Sequence, residues 1–268
     1  MELGVVVRNM GPQSTRETLV TIARAVDAAS AIADLWVADH IAIPPDDAEG
    51  SDGRYLDPLA TLAYLAGITS RVGLGTGVLV VPYRPPLPTA KWIATIQELS
   101  GGRLRLGVGV GWMAAEFRAL GVDLHRRGKI TDETLGFFDR CFAGDVVEAN
   151  GQPFLFRPRP PRPPVFIGGH TPRAFRRVIA HRAGWMPIGA PPDVLAPRVA
   201  ELREAAAAAG LPPPEVAVMT ALPLADRDEA RDLVARYANA GATRVIHGNR
   251  YPDATAFLAM LDALVALA

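Results

Sequence analysis

Residues 72–110 read VGLGTGVLVVPYRPPLPTAKWIATIQELSGGRLRLGVGV. The apolar run over 72–81 predicts a strand, and a proline-rich turn leads from it into a helix that ends near Ser100. A second apolar run over 104–109 predicts the next strand. A strand, a helix and another strand in this order are typical of a parallel sheet covered by helices. The segment therefore predicts an α/β fold.

The same alternation continues along the whole chain. Strands are predicted at 3–8, 35–38, 72–81, 104–109, 165–167, 185–188, 216–222 and 243–247, each followed by a helical stretch. Eight strand–helix units in about 250 residues are the number and length of a (β/α)8 TIM barrel. An open doubly wound sheet would give a similar periodicity. No linker divides the chain, so residues 1–268 are expected to form one domain.

One segment departs from the alternation just before the fifth predicted barrel strand. Residues 146–164 are rich in proline, which prevents a continuous helix, and they contain Asn150-Gly151, a strong β-hairpin signal. We expect a hairpin-like insertion here. Together with the loop over residues 44–54, it is expected to border the mouth of the barrel.

Charge and cysteine content exclude several classes of protein. The chain has 28 basic and 28 acidic residues, so no overall field attracts nucleic acid or an anionic membrane. Cys141 is the only cysteine, which rules out an internal disulfide and suits a reducing compartment. No signal peptide or membrane span is apparent. A cytoplasmic protein that binds neither nucleic acid nor membrane is expected.

Asp39 and His40 follow the second predicted strand. In a TIM barrel the chemistry lies at the carboxyl ends of the strands, so this position favours a functional role. Histidine exchanges protons near neutral pH and could act as an acid or a base. The alternative is that Asp39 caps the loop and His40 packs against it.

Two sets of glycines interrupt the third and fourth strands. Gly73, Gly75 and Gly77 weaken a strand, which indicates a close backbone approach, a bulge or simply a tight barrel interior. The set at positions 107, 109 and 111 keeps a period of two and therefore fails the dinucleotide-binding pattern. We interpret it as a strand whose end leaves room for a flat molecule. Trp112 could then line a planar ring or only cover the barrel mouth.

The stretch Gly168-Gly169-His170-Thr171-Pro172-Arg173 joins a strand to the start of a helix. Free N–H groups and the helix dipole favour an anion there, so a phosphate site is predicted. Arg173, Arg176 and Arg177 are minor candidates for the same anion.

The remaining reactive side chains show no catalytic or metal-binding pattern. His125, His181 and His247 lack the spacing of metal ligands, and Cys141 has no base near it in the sequence. No metal site is expected.

Five stretches resemble one known family. They are LWVADH (35–40), YLDPLATLAYLAGITSRVGLGTGVLVVPYRPP (55–86), LSGGRLRLGVGVGWMAAEFRALGV (99–122), RGKITDE (127–133) and PVFIGGHTPRAFRRV (164–178). In order and spacing they resemble the bacterial luciferase-like superfamily of TIM-barrel flavin and deazaflavin oxidoreductases. The resemblance is to its small coenzyme F420-dependent branch in particular.

The resemblance implies roles for individual residues. Asp39 would contact the cofactor ring and His40 would lie beside its reactive face. A non-prolyl cis peptide would fall at Gly77-Val78. The other residues implied to line the cofactor are Val80, Val110, Gly111 and Ala115, and its phosphate would be held by Gly168, Gly169 and Thr171.

One departure concerns a second catalytic acid. This branch contains sugar-phosphate dehydrogenases, which have an acidic residue directly after the glycine that corresponds to Gly111. This chain has Trp112 at that place. The nearest acid is Glu116, one helical turn further on, so a mechanism that needs that carboxylate is in doubt. No dense basic cluster borders the expected mouth, which argues against phosphorylated sugars.

The resemblance leads to three hypotheses. The first is an oxidoreductase that transfers hydride between bound F420 and a small organic substrate, with His40 as proton relay. The second is a monooxygenase that uses reduced FMN and oxygen, and the third is a barrel that only binds its cofactor. A separate reductase would regenerate the cofactor. Relatives often pair through helices on one side of the barrel, and apolar positions near Leu59, Leu62 and Leu65 would permit a homodimer or ordinary core packing.

Overall fold

A ring of eight parallel strands forms the centre of the protein. The computed structural model describes residues 1–268. The ten strands in chain order are β1 (Glu2–Val6), β2 (Ile32–Val37), β3 (Gly73–Val80), β4 (Leu104–Gly109), β5 (Val146–Ala149), β6 (Gln152–Leu155), β7 (Val165–Gly168), β8 (Gly184–Met186), β9 (Ala217–Thr220) and β10 (Arg244–His247). All except β5 and β6 belong to the ring, in the order β8-β7-β4-β3-β2-β1-β10-β9.

Two further bridges complete the ring. Trp185 pairs with Val216 and Ile188 with Met219, both in parallel, and so connect β8 with β9. A sheet whose two edge strands join is a closed barrel. The predicted (β/α)8 TIM barrel is therefore confirmed, and the alternative of an open doubly wound sheet is wrong.

Nine helices surround the strands. They are α1 (Arg16–Ala28), α2 (Pro58–Ala66), α3 (Pro86–Leu99), α4 (Ala114–Ala119), α5 (Arg127–Ala143), α6 (Pro172–Ala180), α7 (Pro192–Ala208), α8 (Arg227–Asn239) and α9 (Ala254–Val265). None of them is long and apolar enough to cross a membrane. Local sequence determines where α2 begins, because Asp57 accepts a hydrogen bond from the N–H of Ala60 and Pro58 occupies the first helical position.

Strands β5 and β6 form the predicted hairpin before the fifth barrel strand. They pair antiparallel, and the turn residues Asn150 and Gly151 have φ of 52° and 76°. Both values lie in the left-handed region that a tight hairpin turn requires. The insertion does not border the mouth, however. The Gln97 side chain bonds both Pro161 and the N–H of Leu104, where β4 begins, so the insertion lies at the opposite end of the barrel.

Large side chains and glycines alternate inside the barrel. Trp36, Phe166, Met186, Ala217 and Ile246 fill its interior. A Cβ on Gly75 would overlap the Trp36 ring, and one on Gly107 would overlap the backbone oxygen of Thr76. Both glycines therefore allow close packing of the barrel interior. This was one of the predicted alternatives for Gly75, whereas Gly107 was interpreted only as part of a strand that leaves room for a flat molecule.

The amino ends of the strands are closed by a buried ionic cluster. The Nε1 of Trp36 donates to Asp34 at 2.5 Å, and Arg244 pairs with both Asp34 and Glu2. Asp34 and Arg244 are almost fully buried. Buried charges need partners to offset their loss of hydration, and here each has one. This cluster fills the amino end of the barrel beneath β1, β2 and β10.

The leucines considered for a homodimer lie in the core. Leu59, Leu62 and Leu65 are at most 1% exposed, on the side of α2 that faces the barrel. Of the two predicted alternatives, core packing is the correct one for these positions. The homodimer itself stays a prediction, and it would have to use other side chains.

His247 gives the folded protein a specific pH dependence. It is fully buried at the end of β10, its Nδ1 accepts from the N–H of Leu222, and burial lowers its pKa from 6.5 to about 4. Below pH 6.5 the unfolded chain gains a proton that the folded protein takes up only near pH 4. This histidine therefore makes the free energy of unfolding fall by about 2 kcal/mol between about pH 7.5 and about pH 5.

We expect His247→Asn to reduce that pH dependence, because asparagine offers an acceptor to Leu222 but does not titrate. Urea unfolding of both proteins at the two pH values measures the difference. The variant should be less stable at the higher pH, since a smaller side chain leaves a cavity. An equal loss of stability on acidification in both proteins would contradict the assignment.

Candidate active site

The carboxyl ends of four neighbouring strands bring the predicted site residues to one side of the mouth. Asp39 and His40 follow β2, and the Gly77-Val78 pair lies in the last part of β3. Val110 and Gly111 follow β4, with Ala115 in the short helix α4 behind them, and residues 168–171 end β7 and lead into α6. Residues far apart in the sequence thus share one rim, as the fold requires.

The peptide bond between Gly77 and Val78 is cis, as the resemblance implied. The register between β3 and β4 shifts between Thr76 and Leu79, so the backbone bulges at this point. A Cβ on Gly109 would lie 2.6 Å from the Val78 side chain, and one on Gly168 would lie 3.2 Å from it. The glycines of β4 and β7 therefore make room for the bulge of β3, which protrudes into the mouth.

Asp39 connects the β2 loop with the segment after the bulge. Its Oδ2 accepts from the N–H of Val80 at 2.8 Å, and Arg84 binds both carboxylate oxygens at 2.6 and 2.8 Å. The same guanidinium also pairs with Asp57 at 2.7 Å. Burial raises the pKa of Asp39, and the hydrogen bonds and charge of Arg84 oppose that rise. The Asp39 carboxylate is thus engaged by the protein, and its contact with a cofactor ring stays a prediction.

His40 pairs with Glu116, the acid whose part in the mechanism was in doubt from the sequence. Its Nδ1 lies 2.8 Å from Oε2 of Glu116, whose side chain is fully buried, while the His40 side chain remains 20% exposed. Since an ionised carboxylate can only accept, Nδ1 carries the proton. The other ring nitrogen, Nε2, has no partner in the protein. The pair therefore presents a free imidazole nitrogen at the mouth.

Glu116 is held as a carboxylate by its neighbours. Burial by itself would raise its pKa, but hydrogen bonds from the N–H groups of Ala42 and Ile41, from His40 and from Tyr83 outweigh it and lower the pKa. The Glu116 oxygens accept from Ile41 at 2.6 Å, from Ala42 at 3.0 Å and from the Tyr83 hydroxyl at 2.8 Å. A carboxylate with all its acceptor positions satisfied orients His40 without itself being free to reach a substrate.

One signal in the sequence could have identified Glu116. Met113 and Phe117 are buried on the same side of α4, and Glu116 lies on that side too. An acid on the apolar side of a helix needs a buried partner. Trp112 is outside the helix, 72% exposed, with its ring 6.4 Å from the His40 ring. It lies at the edge of the mouth near His40.

Residues 169–171 present unpaired backbone donors to the mouth. The N–H groups of Gly169, His170 and Thr171 donate to no acceptor in the protein. The carbonyl of Gly169 accepts from Trp185 Nε1, and that of His170 accepts from Arg198. Because the C=O and N–H of a trans peptide point in opposite directions, these two bonds turn the following N–H groups away from the body of the protein. Three free donors before a helix suit a phosphate.

Other candidates have structural roles. Arg177 is buried and pairs with Asp132 at 2.5 Å. The prediction that it could assist in binding the phosphate was therefore wrong. The Nδ1 of His181 lies 2.6 Å from Asp139. Cys141 is buried, which raises its pKa to about 11 and makes it a poor nucleophile. No group of three histidine, cysteine or acidic side chains is arranged to hold a metal ion.

Fold and site together define a TIM-barrel protein with a candidate cofactor site at the carboxyl ends of its strands. Residues 1–264 match the family model described as luciferase-like monooxygenase. The chain belongs to this family, whose superfamily comprises oxidoreductases and monooxygenases. An uncharacterized protein of Mycobacterium tuberculosis is 31% identical to it over 252 residues, which are 87% of this chain and 85% of the relative.

Two solved structures show the same fold. The monooxygenase RslO1 from Streptomyces bottropensis superimposes with a TM-score of 0.83 at 20% identity, over 99% of this chain and 98% of its own. An F420-dependent secondary alcohol dehydrogenase, solved with an F420-acetone adduct, gives a TM-score of 0.80 at 16% identity, over 98% of both chains. These two similarities show the fold alone and leave the cofactor of this chain open.

We expect Arg84→Gln to destabilise the protein, because it leaves the buried carboxylate of Asp39 without a cation. The free energy of unfolding, measured in urea, should fall by about 3 kcal/mol or more. The double variant with Asp39→Asn should recover part of that loss, since it removes the unpaired charge. A single variant as stable as the natural protein would show that the ion pair contributes nothing.

Proposed function

We propose that the protein transfers hydride between the deazaflavin coenzyme F420 and a small organic substrate. The pairing of His40 with the buried Glu116 is the observation that supports this best, because it places an oriented proton carrier at the mouth. Hydride transfer to or from a carbonyl or conjugated carbon is accompanied by the gain or loss of a proton. A polarised histidine with one free nitrogen suits that task.

The chain's part in the proton transfer follows from the geometry. The Glu116 carboxylate keeps the proton on Nδ1 of His40, so the substrate meets Nε2. Nε2 can take a proton from a substrate hydroxyl or return one to a substrate oxygen, and the Glu116 charge stabilises the imidazolium in between. His40 is thus the proposed catalytic residue, and Glu116 is a positioning residue. Tyr83 and the loop N–H groups keep that carboxylate in place.

The residues around the bulge suit a flat ring with a phosphate at one end. The Gly77-Val78 bulge would lie against the ring, Val80, Val110, Gly111 and Ala115 would surround it, and the N–H groups over 169–171 would bind the phosphate. When bound, the cofactor supplies the site that accepts or donates hydride. The chain orients it, excludes water from its reactive side and provides the proton path.

The second candidate is a monooxygenase that uses reduced FMN and oxygen. The family model that matches the chain is described as a luciferase-like monooxygenase, which favours this candidate. FMN has a phosphate and a similar tricyclic ring, so the same cradle would accept it. Either cofactor would need a partner reductase. The third hypothesis, a barrel that only binds its cofactor, is disfavoured because it gives the His40–Glu116 pair no role.

Titration of the purified protein with F420 and with FMN, each oxidised and reduced, tests the cofactor assignment. We expect micromolar affinity for F420 and weaker binding of FMN. Preferential binding of FMN would favour the monooxygenase, and binding of neither would contradict the proposal.

A pair of glycine variants tests the phosphate cradle in the same titration. Gly169→Ala introduces a side chain at φ of 107°, and Gly210→Ala introduces one at 67° in open space far from the mouth. Both should lose some stability. We expect only Gly169→Ala to weaken cofactor binding, by about tenfold, which corresponds to about 1.4 kcal/mol. Equal affinities of the two variants would argue against the cradle.

Measurement of kcat in variants tests the proposed role of His40 as proton relay. His40→Ala should lower kcat by about 10²- to 10⁴-fold, the usual contribution of a general acid or base. Glu116→Gln should lower kcat as well, and the double variant should be little worse than His40→Ala, since the two residues act as one unit. His125→Ala, at an exposed histidine with no assigned role in the site, is the control. Unchanged kcat in His40→Ala would exclude the assigned relay.

A further inference from the structure

The other half of the mouth contains a cavity of about 550 Å³. It lies between the ends of β8, β9, β10 and β1 and the loop over residues 49–55. The residues assigned to the cofactor lie at the carboxyl ends of β2, β3, β4 and β7, which form the other half of the ring. The cavity adjoins the bulge of β3, because a Cβ on Gly77 would lie 2.4 Å from the side chain of Met219, which lines the cavity.

Two arginines from opposite ends of the chain meet in this cavity. Arg8, just after β1, donates from Nη2 to the carbonyl of Gly50 at 2.9 Å. Arg250, after β10, lies on the same glycine: a Cβ built there would be 3.5 Å from the Arg250 Cζ. The sequence showed no basic cluster at the mouth because these arginines are separated by almost its full length. The closure of β1 against β10 brings them together.

Neither arginine has an acidic partner. Arg84, Arg177 and Arg244 each pair with carboxylates, but Arg8 and Arg250 form no ion pair, although Glu49 also lines the cavity. The Nε of Arg8 is buried without any hydrogen-bond partner. Two neighbouring guanidinium groups with unused donors repel one another and would be stabilised by an anion between them.

The remaining lining connects this cationic end with the reactive histidine. Tyr55 lines the cavity, and its ring lies 5.0 Å from the His40 ring. Other parts of the wall are apolar and are formed by Val6, Met10, Ile188 and Met219. A molecule in this cavity would meet charged groups and apolar side chains, with His40 behind Tyr55 at its border.

We propose that this cavity binds the substrate, and that the substrate is an apolar organic acid whose carboxylate is held by Arg8 and Arg250. This inference rests on the proposed function, since it assigns the substrate class to the same active site. Guanidinium groups bind carboxylates through paired, charge-assisted hydrogen bonds. The arginine pair orients the acid so that its reacting carbon lies near His40 and the cofactor ring.

Isothermal titration with matched probes tests the proposal. Cinnamate and the uncharged cinnamamide have the same shape, and each is titrated into the protein with and without its cofactor. We expect cinnamate to bind at least about tenfold more tightly than cinnamamide. Arg8→Gln and Arg250→Gln should each remove most of that preference and leave the affinity for cinnamamide unchanged. Arg24→Gln, an exposed arginine on α1, carries the same charge change and should keep the preference.

Three outcomes would overturn the proposal. They are equal affinities for the two probes, no binding of cinnamate to the natural protein, and a preference for cinnamate that survives in both arginine variants. Arg8→Gln removes a bond to the loop, so the exposed Arg250 provides the second, structurally milder variant. If the variants lose affinity for F420 or FMN while their cinnamate affinity is unchanged, the arginines bind the cofactor phosphate instead. Because cofactor affinity is measured separately, failure of the acid site is distinguished from failure of the cofactor assignment.

Discussion

The carboxylate of Glu116 is the constraint on which the active end of the barrel depends. It accepts hydrogen bonds from the loop after β2, from Tyr83 after β3 and from His40, while it is itself carried by the helix after β4. Three successive strand–helix connections are thereby tied to one buried charge. Such a charge is tolerated only when its acceptor positions are filled. The same bonds that solve this folding problem give His40 its tautomer and its direction.

The ion pair of Asp39 and Arg84 complements this arrangement. Asp39 holds the N–H of Val80 directly after the bulge of β3, and Arg84 connects it to Asp57 at the start of α2. The bulge, the histidine and the first turn of α2 are therefore positioned by adjoining networks of charged side chains. Rigid placement of this kind is what a site needs in order to hold a cofactor and a proton carrier at a defined separation.

The two halves of the mouth differ in chemistry. On one side are glycines, a protruding bulge and free N–H groups, all of which suit a flat molecule with a phosphate. On the other side are two unpaired arginines above an apolar wall. His40 and Tyr55 lie where the two halves meet. A two-substrate reaction needs such a division, because the reacting atoms must approach from separate sites.

Local patterns in the sequence were sufficient for much of this description. Apolar periodicity predicted the eight barrel strands, Asn150-Gly151 predicted the hairpin, and the resemblance implied the cis bond at Gly77-Val78, since each depends on residues close together in the chain. The His40–Glu116 pair, the position of the insertion at the closed end and the meeting of Arg8 with Arg250 were decided by tertiary structure alone. Their contacts join segments distant in the sequence, and only closure of the barrel determines which strand ends become neighbours.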